Sequence, residues 1–146
     1  MNCYGSSPKV SVVIPVFNGE RFIGDAIQSA LDQTFKNFEI IVVDDGSTDQ
    51  TEKIVRQFSD RVAYHRQENR GAGVARNLGV TCASGEWIAF LDADDIWYSQ
   101  KLAAQFEAVA MNPAIGFVYS DMDTIDAHEV ILQRNFLTNP ATRRKR

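Results

Sequence analysis

The strongest constraint on the fold is a regular alternation between short apolar runs rich in β-branched residues and segments whose apolar residues recur at helical spacing. Val10–Val16 is such a run, and Phe22, Ile23, Ala26 and Ile27 follow it at the spacing of one helix face. The same alternation then repeats along the chain. It predicts an α/β fold with a mostly parallel central sheet and helices on both faces.

Turn and cap residues set the bounds of the predicted elements. Predicted strands cover Val10–Val16, Phe38–Val43, Val62–His65, Glu86–Leu91 and Gly116–Ser120. Predicted helices cover Arg21–Gln33, a segment from a capping box of Ser47 and Gln50 to about Phe58, Gly71–Cys82, and Lys101–Met111. Beyond Asp121 the pattern weakens, and residues 122–125 and 130–136 are expected to form a hairpin.

Length, charge and cysteine content restrict the class of protein. A chain of 146 residues suits one domain, and a net charge of −4 with a pI of about 5.1 argues against a general affinity for nucleic acid. Cys3 and Cys82 do not make a disulfide framework and fit a reducing cytosol. Residues 1–9 lack the apolar core of a signal peptide, and no apolar run approaches the ~20 residues of a membrane helix. We therefore expect a soluble, cytoplasmic protein.

The one basic cluster of the sequence is Arg143–Arg146 at the chain end. The favoured interpretation is a solvated terminus. The more specific alternative is a weak electrostatic anchor to anionic lipid, which would place the protein peripherally at the inner face of the membrane.

Polar and acidic residues follow the predicted strands at the points where the strands end. Ligands bind beyond the carboxyl ends of strands in such sheets, so these side chains should gather along one edge. They are Asn18, Asp44, Asp45, Glu68, Asn69, Arg70, Asp92, Asp94, Asp95 and Asp121. So many carboxylates in one cleft would repel one another, and a bound divalent cation is the simplest way to offset that repulsion at neutral pH.

The acidic run, defined as Asp92, Ala93, Asp94 and Asp95, is the candidate metal site. An extended Asp-x-Asp places Asp92 and Asp94 on the same side of the backbone. Ligands that offer only oxygen suit Mn²⁺ or Mg²⁺, with substrate phosphates completing the coordination. The alternative interpretation is a solvated acidic loop that caps the helix after it.

Asp44 and Asp45 precede Gly46 in what is either a tight turn or part of a binding site. One carboxylate would suffice for the turn, which leaves the other to accept hydrogen bonds from a base N–H or a ribose hydroxyl. Arg70 and the Gly71–Gly73 loop would meet phosphate through the guanidinium and the helix N-terminus. A surface arginine beside an ordinary turn is an equal alternative.

Five segments, in order along the chain, carry a resemblance to a known family. The segments are residues 12–19 (VVIPVFNG), 29–35 (SALDQTF), 39–49 (EIIVVDDGSTD), 71–77 (GAGVARN) and 85–95 (GEWIAFLDADD). They closely resemble the family 2 inverting glycosyltransferases, and the likeness covers roughly residues 9–121. Because several motifs occur in the right order, the resemblance is specific at the level of the family.

The resemblance implies a glycosyltransferase-A fold, of which this chain would be the Rossmann-like nucleotide-binding half, and a nucleotide-diphosphate sugar donor, often a UDP-sugar. Asp45, with Asp44 beside it, would contact the base. Asp92 would face the ribose or the metal, and Asp94 would bind the metal that bridges the diphosphate. The nucleoside pocket would be lined by Pro15, Val16 and Phe17. The chemistry agrees, because a divalent cation neutralises the charge that the nucleoside diphosphate gains as it leaves.

The resemblance also implies a general base, a carboxylate in a second half of the domain, and nothing after Asp121 matches it. Asp123, Asp126 and Glu129 come too early in the family order to take that role. We therefore expect the base to lie beyond Arg146 and the chain to be a truncated portion that binds donor without transferring sugar. The predicted organisation is a flexible leader at 1–8, a nucleotide-sugar-binding domain at 9–121, and the start of an acceptor-side region with a basic tail at 122–146.

The expected partners are a nucleotide-diphosphate sugar and a carbohydrate or lipid-linked acceptor, and exposed apolar surface would favour self-association.

Other classes of protein compete with this interpretation. A receiver-type signalling domain would need acidic residues after the first strand and a lysine after the fifth, and the sequence offers neither. An aspartyl-nucleophile phosphatase would use Asp92 and Asp94 as nucleophile and acid. The main alternative is a non-catalytic module that binds a nucleotide sugar or another protein.

Overall fold

A computed structural model describes residues 8–126 and 130–135. The chain divides into two compact units, Met1–Ala103 and Ala104–Arg146, which are described separately below. The domain limits expected from the sequence, after residues 8 and 121, stay predictions. Most of the leader, Cys3 and the basic cluster Arg143–Arg146 lie outside the described residues.

The first unit is built on a four-stranded parallel sheet in the order β3-β2-β1-β4. The strands are β1 Val10–Val16, β2 Phe38–Asp44, β3 Ala63–Arg66 and β4 Trp87–Phe90. Every residue of β1 is buried, as are the last five of β2. Central strands covered on both faces consist of nearly continuous apolar residues, which explains these two sequence runs. The predicted parallel sheet is confirmed.

Three helices cover the two faces of the sheet. They are α1 Ile23–Leu31, α2 Thr51–Val55 followed by a 3-10 turn at Arg56–Phe58, and α3 Ala72–Cys82. Ala75 of α3 packs against Val43, whereas Arg56 lies over the ring of Tyr64, the strand partner of Val42. Successive strand residues point to opposite faces, so α2 and α3 lie on opposite sides of the sheet. Across residues 8–126 and 130–135, none of the helices is long and apolar enough to cross a membrane.

The predicted capping box at Ser47 and Gln50 is wrong, because α2 begins at Thr51. The Ser47 hydroxyl instead accepts a hydrogen bond from the Asn18 backbone N–H at 2.9 Å. The first turn of α2 is bound by Asp49, whose carboxylate accepts from the Thr51 N–H at 3.0 Å and from the Thr51 hydroxyl at 2.5 Å. A contact with the neighbouring β1–α1 loop therefore occupies the serine that the local pattern assigned to the helix.

The fifth strand predicted at Gly116–Ser120 is wrong. These residues follow α4 (Lys101–Met111) and do not have strand structure. Phe117 and Tyr119 are 79% and 75% exposed and stack on each other with ring centroids 6.2 Å apart. A strand exists only where a neighbouring strand takes up its backbone hydrogen bonds, so a short run with aromatic residues and valine is insufficient by itself.

The second unit contains a short antiparallel pair, β5 Thr124–Ile125 and β6 Ile131–Gln133, within the hairpin that the sequence predicted. Asp123 closes the pair: its carboxylate accepts from the Asn135 N–H at 2.8 Å and forms an ion pair with Arg134 at 3.4 Å. Large apolar side chains are exposed in this unit, namely Met111, Phe117, Tyr119, Met122 and Leu132. Self-association through them stays a prediction.

Gly79 marks a close approach of α3 to β1, which leads to a stability prediction. A Cβ on Gly79 would lie 2.3 Å from Cγ1 of the fully buried Val13. We expect Gly79→Ala to lower the free energy of unfolding by about 1–2 kcal/mol, because overpacking outweighs the ~1 kcal/mol by which alanine favours a helix over glycine. Gly73→Ala is the matched control, since nothing lies within 4 Å of its Cβ position. Urea unfolding of both variants is the measurement, and a stabilised Gly79→Ala would contradict this packing.

Candidate functional site

β1 is the switch point of the sheet, because β2 pairs with it on one side and β4 on the other. In open α/β sheets, ligands bind in the crevice that forms beyond the carboxyl ends of the strands at such a point. A cleft lies there, the Asp45 cleft, lined by Pro15, Val16, Phe17, Asp45, Ala72 and Ala75. The structure therefore brings four of the predicted nucleotide-binding residues together in one cleft.

Asp45 is the charged residue of this cleft and is only 3% exposed. Its Oδ1 accepts from the Gln67 side-chain amide at 2.6 Å and the Arg70 N–H at 2.9 Å, and its Oδ2 accepts from the Gly71 N–H at 2.7 Å. Burial raises the pKa of the Asp45 carboxyl, but the hydrogen bonds from Arg70, Gln67 and Gly71 outweigh burial and hold that pKa below its usual value. Asp45 is therefore an ionised acceptor, and its Oδ2 retains acceptor capacity.

Asp44 is fully buried, and its carboxylate serves the protein itself. Oδ1 accepts from the Ser47 N–H at 2.7 Å and Oδ2 from the Tyr64 hydroxyl at 2.6 Å. Burial, this hydrogen bond and the charge of Asp44 raise the pKa of Tyr64, so the phenol stays a donor. Gly46 has a φ of 84°, and a Cβ there would lie 2.8 Å from the Asn69 backbone nitrogen. Asp44 thus builds the tight turn, and its contact with a base stays a prediction.

The β1–α1 and β2–α2 loops are hydrogen-bonded to each other beside the cleft. Asn18 adopts a left-handed φ of 50°, and its Oδ1 accepts from the Thr48 N–H at 2.8 Å. In return, the Asn18 N–H donates to the Ser47 hydroxyl at 2.9 Å, and the Gly19 N–H donates to the Thr51 hydroxyl at 2.9 Å. The chain segments that follow Phe17 and Asp45 of the cleft are thereby fixed to one another.

The acidic run follows β4, the other neighbour of β1. The Leu91 N–H donates to a carbonyl of β1 at 3.1 Å, which keeps the chain in the sheet up to the first aspartate. Asp92 and Asp94 are exposed, and Asp92 forms an ion pair with Arg76 of α3. Partial burial, with the charges of Asp94 and then Asp92, raises the pKa of Asp95. Negative charge is therefore concentrated at the end of β4.

The acidic run lies beside the β1–α1 loop, because a Cβ on Gly19 would be 3.8 Å from that of Ala93. In the part of the chain that the structure describes, no group of three His, Cys, Asp or Glu side chains is arranged to hold a metal ion. The extended Asp-x-Asp expected from the sequence is wrong, because the Asp95 N–H donates to the Asp92 carbonyl at 3.0 Å and the run forms a turn. Asp92 and Asp94 still offer exposed carboxylate oxygens. Mg²⁺ is usually held by one or two carboxylates and completes its coordination with substrate phosphates and water. The residues present therefore fit a hard divalent cation that also binds a diphosphate.

Arg70 enters the site through its backbone, since its N–H binds Asp45 while its side chain is exposed. Gly71, with a φ of 91°, turns the chain into α3, and its own N–H is also taken by Asp45. The first helical amides that remain for an anion are those of Ala72 and Gly73. A contact between the Arg70 guanidinium and phosphate stays a prediction.

The sequence analysis missed three residues of this site. Gln67 donates to Asp45, Tyr64 donates to Asp44, and Arg76 pairs with Asp92. Gln67 lies in the loop after β3, where the sequence pattern does not indicate which way a side chain points. Arg76 had a usable signal, because it stands one helical turn after Ala72 and so shares a face with the start of α3.

Comparison with known proteins identifies the family. The family model described as glycosyl transferase family 2 matches residues 11–143. An uncharacterized glycosyltransferase of Rickettsia typhi is 48% identical over 99 residues, which cover 68% of this chain and 31% of that protein. The chain therefore spans about a third of the length of this relative.

Two solved structures have a similar fold. TarS of S. aureus in complex with UDP matches with a TM-score of 0.68 at 27% identity, covering 80% of this chain and 41% of that chain. The mannosyltransferase PcManGT from Pyrobaculum calidifontis, in complex with GDP-Man and Mn²⁺, matches with a TM-score of 0.69 at 28% identity, covering 76% of this chain and 34% of that chain. Since the family model spans most of the sequence and the sheet matches these enzymes, this chain has a glycosyltransferase-A fold and belongs to glycosyl transferase family 2.

Proposed function

We propose that this chain binds a nucleoside-diphosphate sugar, with UDP-sugars foremost, together with Mn²⁺ or Mg²⁺. The whole protein would transfer the sugar, with inversion, to a hydroxyl of a carbohydrate or lipid-linked acceptor. The observation that carries the proposal is the placement of the Asp45 cleft and the acidic run at the carboxyl ends of strands on either side of β1. The complexes of TarS with UDP and of PcManGT with GDP-Man and Mn²⁺ support it.

The nucleoside would lie in the cleft. Pro15, Val16 and Phe17 give the cleft an apolar wall, and the Phe17 side chain is half exposed there, where a planar base can pack on it. Asp45 is buried and ionised, so it would accept a hydrogen bond from a ring N–H of the base. Uracil presents one such group at N3, which suits a single carboxylate with acceptor capacity on one oxygen.

The diphosphate would lie over the acidic run. Asp94 would bind the cation, and Asp92 would bind either the cation or the ribose. When bound, the cation neutralises the charge that develops on the nucleoside diphosphate as it leaves. Arg76 already holds Asp92 through an ion pair, so the guanidinium orients that carboxylate and balances its charge before donor arrives. The Arg70 side chain, which is exposed near the start of α3, would contact a phosphate at the edge of the cleft.

Transfer itself is proposed for the whole protein, because the chain spans 31% of the Rickettsia typhi relative. The proposed roles of the described residues are limited to binding and orienting the donor. A non-catalytic donor-binding module would use the same cleft and acidic run, so donor binding is the property to measure first.

Titration of the chain with UDP by calorimetry tests the proposal. We expect UDP affinity to be about tenfold or more higher in Mn²⁺ than in EDTA, a difference of ~1.4 kcal/mol or more. Circular dichroism establishes that the chain is folded under both conditions. A folded chain that binds no UDP, or that binds it equally well in EDTA, would contradict the proposal.

A further inference from the structure

Two buried polar side chains lie at or just beyond the C-terminal end of α1, and neither lines the Asp45 cleft or belongs to the acidic run. Gln33 is fully buried and Ser29 is 8% exposed. A buried amide or hydroxyl is costly unless it is hydrogen-bonded, because it has given up water. The partners of these two side chains therefore indicate what they do.

Their partners are backbone atoms of the segment that follows the acidic run. The Gln33 Nε2 donates to the Tyr98 carbonyl at 2.8 Å, and its Oε1 accepts from the Leu102 N–H at 3.0 Å. The Ser29 hydroxyl accepts from the Trp97 N–H at 3.1 Å. Gln33 Nε2 also donates to the Ser29 carbonyl at 3.2 Å, so both side-chain groups of the amide are satisfied. One glutamine and one serine thus hold three points of the segment 97–102.

A further backbone contact strengthens this attachment. The Thr34 N–H donates to the Ser99 carbonyl at 2.8 Å. Leu102, in the first turn of α4, is 1% exposed. Residues 97–102 are therefore anchored to the end of α1 by main-chain and side-chain bonds together.

The acidic run lies between two fixed points of the backbone. On one side, Leu91 is hydrogen-bonded into the sheet at 3.1 Å. On the other side, Trp97 is held by Ser29 at 3.1 Å. Only residues 92–96 separate these points, so the anchor at α1 limits where Asp92 and Asp94 can lie. Mg²⁺ in particular demands near-ideal octahedral coordination, so a small displacement of its ligands costs affinity.

We infer that Gln33 and Ser29 are positioning residues that set the geometry of the acidic run for the metal-bound donor, although neither touches metal or nucleotide. This inference rests on the proposed function. A buried glutamine could either fill the core or position the acidic run. A residue that only fills the core would change stability alone, whereas a positioning residue changes the coupling between metal and nucleotide.

The test compares UDP affinity in Mn²⁺ with UDP affinity in EDTA for the full chain and its variants. Gln33→Met keeps the length of the side chain and removes its hydrogen bonds. We expect the ratio of the two affinities to fall roughly tenfold, the low end of what loss of a supporting hydrogen bond costs a metal site. Affinity in EDTA should stay within about twofold of wild type, because the Asp45 cleft is unchanged. Gln28→Met, an exposed position on α1, is the matched control and should leave the ratio unchanged.

A spectroscopic measurement reports on the loop independently of nucleotide. The sequence contains two tryptophans, so Trp87→Phe leaves Trp97 as the single reporter in the anchored loop. In that background, Gln33→Met should increase acrylamide quenching of Trp97 fluorescence, and Gln28→Met should not. Unchanged quenching in a folded Gln33→Met variant would overturn the anchoring role.

Ser29→Ala provides a milder second variant in case Gln33→Met does not fold. It should reduce the metal-dependent ratio in the same direction. If folded variants keep the wild-type ratio, the inference is overturned while the proposed function stands. If wild type shows no metal-dependent UDP affinity, the proposed function fails and this inference fails with it.

Discussion

Asp94→Ala is expected to reduce the affinity for UDP in Mn²⁺ by about 100-fold, or ~2.8 kcal/mol, while leaving affinity in EDTA nearly unchanged. The side chain is exposed at the end of β4, where it has the carboxylates of Asp92 and Asp95 beside it. Removing one of the two proposed protein ligands leaves the cation with only one carboxylate to attach it to the chain. Calorimetric titration of UDP with each variant in Mn²⁺ and in EDTA is the measurement.

Asp60→Ala is the matched control for Asp94→Ala. Asp60 is an exposed aspartate in the turn before β3, so the substitution changes net charge equally and lies away from the acidic run. We expect its UDP affinity in Mn²⁺ to equal that of wild type. An Asp94→Ala variant that keeps full metal-dependent affinity would overturn the assignment of Asp94 as a metal ligand.

Asp44→Ala is expected to lower the free energy of unfolding by about 3 kcal/mol, a large part of the 5–15 kcal/mol typical of a domain. The carboxylate is fully buried and accepts from the Ser47 N–H at 2.7 Å and the Tyr64 hydroxyl at 2.6 Å. Alanine would leave both donors without this acceptor and would open a small cavity at the end of β2. Urea unfolding followed by circular dichroism measures the loss.

Tyr64→Phe separates the two contributions to that loss. It removes the hydroxyl bond to Asp44 and keeps the ring and the turn, so we expect a cost of about 1–2 kcal/mol. An Asp44→Ala variant as stable as wild type would show that the carboxylate is not a structural acceptor. In that case the carboxylates of both Asp44 and Asp45 would be available to bind a ligand.

The two central strands of the sheet could be predicted from the sequence because burial and β-branching coincide in them. The bounds predicted for the first strand, Val10–Val16, are those of β1, and β2 extends the predicted Phe38–Val43 by one residue. α4 occupies the predicted Lys101–Met111, since Asn112-Pro113 stops it. In each case a local property of the chain agrees with the tertiary environment.

Where prediction failed, the tertiary environment rather than local composition decided the structure. Ser47 has the local chemistry of a helix cap, yet it binds Asn18 from a loop 29 residues away in sequence. Residues 116–120 have the composition of a strand but have exposed aromatic side chains at Phe117 and Tyr119.

The candidate site could be located from the sequence but not resolved atom by atom. The expected parallel sheet placed Pro15–Phe17, Asp45 and the acidic run at the carboxyl ends of its strands, where the structure also has them. The sequence could not say which member of the Asp44-Asp45 pair would be occupied by Ser47 and Tyr64, because that depends on where β3 lies. Nor could it show that Arg76 pairs with Asp92, since α3 has to pack on the sheet before the two meet.

The hydrogen bonds that join the β1–α1 and β2–α2 loops have a thermodynamic consequence. Asn18, Ser47 and Thr48 fix the backbone around the cleft by reciprocal hydrogen bonds made wholly within the protein. The conformational entropy of these loops is therefore lost when the chain folds rather than when it binds. A nucleoside would meet a rigid surface, and its affinity would depend on contacts and desolvation with little cost for ordering the protein.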